Sequence, residues 1–233
     1  MNEFEYLNAL IDKEFYYEGD PIICQLHAIL DKDKSNHNCI ACNIAFNIDL
    51  LKEHINTIKL NENTGYLYSS TILMLYLIVE KLFALFKSLE ESGIKPSGYK
   101  SSFSTMRLIW AWANFFKHPK AFMYVHEPIF IPISSHEVAS ERNTSDPILL
   151  ENKIIDDEFI LKYYTGKEKN EELYIQLLNK HEPIVLLPDI IELFKLFKVE
   201  FLLFLDDAKT NTKIIDHLHD KATLIGLWKD EDE

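Results

Sequence analysis

Apolar residues recur along this chain mostly at helical spacing. In residues 2–16, Phe4, Leu7, Leu10, Ile11 and Phe15 fall three and four apart, which predicts a first amphipathic helix. Gly19-Asp20-Pro21 stops it and can open a second over 22–30. After the polar connector DKDKSNHN, a helix over 39–58 places Ile40, Ile44, Ile48, Leu51, Ile55 and Ile58 on one side. Residues 66–91 are long and nearly free of helix breakers. Their upper half is apolar all round, which places this helix in the centre of the core. Gly93, Pro96 and Gly98 end it. Ser101, Ser102 and Ser104 then offer N-cap oxygens to the next helix, 102–118, which Pro119 limits.

Between 121 and 165 the period changes. FMYVHEPIFIPISSHEV is aromatic, β-branched and punctuated by proline, which suits edge strands or extended wrapping. RNTSDP is a turn, and 153–164 reads either as a strand or as a short helix. Helices over 171–179 and 188–208 complete the pattern, the latter with proline near its first turn and Glu192 close behind. HEPIFIP at 126–132 echoes HEPIVLLP at 181–188, each an apolar extended segment stopped by proline. Nothing else recurs at that spacing, so the echo is read as coincidence rather than duplication. The expected fold is mainly α, a single helical domain over 1–233. Its bundle core is built on 66–91 and 102–118, with a small irregular or β-containing insertion at 121–165.

Composition supports this picture. Six glycines in 233 residues disfavour all-β folds and glycine-rich phosphate loops, and 47% hydrophobic residues are too many for a disordered chain. The N-terminal stretch carries acids where a signal peptide carries bases, and no apolar run approaches the roughly 20 residues of a membrane span. Three cysteines, Cys24, Cys39 and Cys42, suggest no disulfide framework, so a cytoplasmic location is expected.

A formal net charge of −13 argues against a general nucleic-acid coat protein. The charge is uneven, however. Residues 66–125 hold seven bases against three acids, a net +4, which leaves −17 for the rest of the chain.

That basic island contains the most suggestive helix. At about 100° per residue, Arg107, Trp110, Asn114 and His118 fall on one stripe. His118 ends the helix, where the dipole favours a protonated ring, and Lys117 and Lys120 flank it. Such a group could move a proton on a phosphodiester while the cations hold its anionic oxygens. The competing reading makes Trp110, Trp112, Phe115 and Phe116 core, with His118 capping its helix or bonding a backbone carbonyl.

A long core helix, a loop and a second helix ending in ANFFKH resemble the central pair of a HEPN domain (higher eukaryotes and prokaryotes nucleotide-binding). The resemblance covers about residues 66–120. Asn114 and His118 match the second and last positions of the family's arginine-to-histidine motif. Its arginine would fall at 111–113, where this chain has Ala111, Trp112 and Ala113; Arg107 is on the same face, about 16 Å below His118. The resemblance implies an RNA-directed protein of a bacterial toxin–antitoxin or anti-phage defence system, homodimeric through these helices. In an active member, His118 would be the acid/base of metal-independent RNA cleavage. Asn114 would orient the substrate or His118, Arg107 and Lys117 would neutralise phosphate charge, and Lys120 would help bind substrate. The alternative is a non-catalytic helical protein that binds a partner subunit, such as the product of a neighbouring gene.

Cys39-x-x-Cys42, with His37 before and His54 after, has zinc-ligand residue types. No second histidine follows His54 at three to five residues, and the helical stripe runs straight through, so the cysteines are weak metal candidates. His217-x-His219 reads as helix or turn, where i and i+2 diverge. No H-E-x-x-H, G-x-S-x-G or Walker sequence occurs, and no cofactor is implied.

Overall fold

The computed structural model of this chain describes residues 16–17, 20–21, 40–57, 64–95, 103–117, 129–132, 154–165, 184–214 and 216–217. Most of these are helical, as the hydrophobic period predicts. Helix α1 is Ile40–Thr57, α2 is Thr64–Glu91, α3 is Ser104–Lys117, α4 is Asp157–Thr165 and α5 is Ile190–Thr210. The strands are short: β1 (Tyr16–Tyr17), β2 (Asp20–Pro21), β3 (Ile129–Pro132), β4 (Ile154–Ile155) and β5 (Ile184–Leu187). Tyr16, the last residue of the expected first helix, is instead in a strand: β1 pairs antiparallel with β2, Tyr16 opposite Pro21 and Tyr17 opposite Asp20. Tyrosine, an aromatic residue, suits a strand. Residues 2–15 and the helices expected over 22–30 and 171–179 lie outside the described residues.

The chain divides into two compact units. One comprises Met1–Thr57, Leu77–Ser104 and Lys195–Glu233; the other comprises Ile58–Tyr76 and Thr105–Phe194. Helices α2 and α5 contribute to both.

The first unit is built on phenylalanine. Phe86 of α2 stacks on Phe103 at 5.2 Å and meets the edge of Phe204 from α5 at 4.9 Å. All three are almost fully buried, as are Leu82, Leu89, Phe197 and Phe201. Burying one such ring is worth about 2–3 kcal/mol. Helix α1 buries Ile48, Leu51 and Ile55, three members of its expected stripe. Helix α2 ends where glycine was expected to end it. Gly93 has φ 74°, its N–H donates to Glu90 O at 3.0 Å, and Ile94 N–H donates to Leu89 O at 2.9 Å. These two bonds form a Schellman cap that satisfies carbonyls the helix would otherwise leave open.

The second unit holds a three-stranded parallel sheet in the order β3-β5-β4. The central strand β5 buries Val185, Leu186 and Leu187, which fits its unbroken apolar sequence IVLL. Strand β3 is an edge, as its proline suggested. Its register aligns Ile129 with Ile184, Phe130 with Val185, Ile131 with Leu186 and Pro132 with Leu187. These are the residues that the HEPIFIP/HEPIVLLP echo aligns, so the echo has a structural counterpart: like segments form neighbouring strands. Residues 153–164 contain both expected structures, the two residues of β4 and then α4. Asp156 separates them as an N-cap, with Oδ1 accepting from Phe159 N–H at 2.9 Å. Asp189 does the same for α5, accepting from Ile191 and Glu192 N–H at 2.9 and 3.0 Å.

Candidate functional site

Helix α3 has a deeply buried side and a narrow outer one. Met106, Ile109, Ala111, Trp112 and Ala113 are fully buried, and Phe115 nearly so. Trp112 does more than fill space: its indole Nε1–H donates to Asp157 Oδ1 at 2.7 Å, tying α3 to the first turn of α4. Its ring also stacks on Phe116 at 5.6 Å and meets Phe115 edge-on at 5.7 Å. The expectation that this aromatic group is core therefore holds for Trp112 and Phe115. Trp110 and Phe116 are only half-buried. Positions 111–113, where the HEPN motif would carry its arginine, all lie in the core.

Arg107 and Lys117 are exposed. They stand ten residues apart, about 15 Å along the helix, with the half-buried Trp110 between them. Lys117 Nζ lies 3.8 Å from the centroid of the Tyr76 ring, a cation–π contact that holds the ammonium while leaving the residue open to solvent. Asn114 is on the same stripe but faces inward. It is 8% exposed, and its Nδ2 donates to Trp110 O at 2.9 Å, one turn back along its own helix. His118 and Lys120 lie outside the described residues.

The two units divide the basic island unequally. The part in the first unit, 77–104, has four bases against three acids, and there Lys87 sits 3.8 Å from Glu91. The parts in the second unit, 66–76 and 105–125, have Arg107, Lys117 and Lys120 and no acid. Three-quarters of the island's positive excess thus belongs to α3 and the residues just after it.

The zinc candidates gain no geometry. Cys42 lies within α1, Cys39 and His37 lie outside the described residues, and His54 is half-buried with its carbonyl accepting from Thr57 Oγ1 at 2.9 Å. Among the described residues, no group of three or more His, Cys, Asp or Glu could hold a metal ion.

Sequence reading missed two partly buried polar pairs. His217 Nε2 lies 2.9 Å from Ser88 Oγ, 129 residues away, and His217 is 8% exposed. A serine–histidine pair can activate a nucleophile. Here, however, Ser88 lies inside α2, whose own backbone N–H groups are taken up by the helix and offer no oxyanion hole. The other pair is Glu200, 5% exposed, which accepts from Ser104 Oγ at 3.4 Å. No local spacing signals either contact.

Comparison with protein-family models, curated proteins and solved structures finds no match to this chain. Among the described residues, no helix is long and apolar enough to cross a membrane.

Proposed function

We propose that the outer stripe of α3 binds single-stranded RNA. The carrying observation is the row Arg107, Trp110, Lys117: two exposed cations with a half-buried indole between them, on an acid-free segment of an acidic protein. Cations that track the backbone and an aromatic face that stacks a base are the two parts of a single-strand site. The more specific form of this reading is a metal-independent endoribonuclease of a HEPN-like defence or toxin–antitoxin system. In that form His118 moves the proton and Arg107 and Lys117 hold the phosphate. Asn114 supports the stripe through its backbone bond to Trp110.

A second reading, a non-catalytic protein that binds a partner subunit, draws support from the inward-facing Asn114 and the buried positions 111–113.

Fluorescence anisotropy with a labelled RNA oligonucleotide tests the proposal. At low salt the wild-type chain binds; Arg107→Ala and Lys117→Ala each weaken binding by about three- to tenfold, and Trp110→Ala by about tenfold. Absence of binding at low salt, or binding indifferent to all three changes, overturns it. For the nuclease form, RNA cleavage in the presence of EDTA is lost in His118→Ala while the thermal melt stays in place. Loss of the fold in that variant would make His118 structural.

A further inference from the structure

Helix α5 is apolar on two opposite sides. One side carries Phe197, Phe201, Phe204, Leu205 and Ala208, all nearly inaccessible. The other carries Leu196, Val199, Leu202 and Leu203, which are 45, 54, 37 and 51% exposed. Leu196, Val199 and Leu203 recur at three- and four-residue steps, the spacing of a helix–helix seam. Three exposed charges lie along this seam: Glu192 and Lys195 toward its N-terminal end and Asp206 at its C-terminal end.

We propose that this face is a self-association surface, on which α5 of a second copy of this chain lies antiparallel. With the two-fold axis level with Phe201, Val199 of each helix meets Leu203 of the other. The same register brings Lys195 of each beside Asp206 of the other. An antiparallel two-fold is the arrangement that puts opposite charges at both ends, whereas a parallel pair would set lysine on lysine and aspartate on aspartate. The face is self-complementary in this register. It lies on α5, away in sequence from the two helices through which a HEPN-like dimer would form, and it stands whether or not α3 binds RNA. Four aliphatic side chains per copy make a small patch, so the dimer is weak, with a Kd on the order of tens of micromolar.

Sedimentation velocity of the full chain from about 1 to 300 µM tests this over the expected range. The weight-average mass rises from monomer toward dimer with concentration. Lys195→Glu and Asp206→Lys each raise Kd about tenfold, and the double charge swap returns it to within about threefold of wild type. Leu203→Ser, on an exposed position, abolishes dimerisation with little change in the thermal melt. A chain that stays monomeric throughout overturns the proposal, as does a dimer that survives Leu203→Ser. A double swap that fails to restore the dimer overturns the antiparallel register.

Discussion

Tyr164 shows how one side chain couples this fold to pH. Burial pushes its phenol above the usual range, and the neighbouring Tyr163, whose ring centroid is 4.8 Å away, adds to the effect. The unfolded chain releases that proton near pH 10 while the folded chain retains it. A raised folded pKa of this kind contributes stability that is intact below about pH 10 and is lost as pH climbs further. Thermal melts between about pH 8 and 11 should show a steeper fall for wild type than for Tyr164→Phe, whose ring cannot ionise. Equal slopes would mean that the hydroxyl titrates freely. At this scale the sequence was only partly informative. The apolar stripe marks Trp112 as core, but nothing in STMRLIWAWANFFK reveals that its indole needs Asp157, 45 residues away. Likewise, spacing places Asn114 on the stripe with Arg107, yet the turn of its amide toward Trp110 O is a rotamer choice that spacing cannot express.

Elements were more legible than residues, because their ends are set by local chemistry. Pro188-Asp189 with Glu192 three residues on marks the start of α5, and Asp189 caps it there. Gly93 marks the end of α2, with φ 74° and, among the described residues, no atom other than those of its own chain neighbours within 4 Å of where a Cβ would stand. A substitution there meets backbone strain alone, with no clash. Gly93→Ala should therefore cost about 1 kcal/mol in denaturant unfolding, and Gly93→Asn less, since asparagine tolerates the left-handed region. A loss of several kcal/mol from alanine would point to a steric cause. Strands were harder to read. Residues 153–164 supported two readings because two residues of β4 and nine of α4 adjoin with only Asp156 between them. The partner strand, β5, lies beyond the expected insertion, so the sheet could not be assembled from 121–165 alone.

For the whole molecule, charge placement is the property that bears most on function. A net −13 repels RNA at long range, so an RNA site on α3 has to work through a few local cations. If Arg107, Lys117 and Lys120 supply the phosphate contacts, the logarithm of affinity should fall with the logarithm of salt at a slope near −2, about 0.7 per contact on a single strand. A slope near −5 would mean that the contact surface extends well beyond this helix.

The order β3-β5-β4 also governs when this sheet can exist. Among the described residues both outer strands pair with β5 alone, and β5 is the last of the three to leave the ribosome. Ile129 waits 55 residues for Ile184, so closing that loop forfeits chain entropy that the local helices never face. During synthesis α2 and α3 can gain turns as they emerge, whereas β3 and β4 have no place in the sheet until residue 187 is made. A chain truncated before Ile184 would therefore keep the α3 stripe in its sequence but lose the sheet.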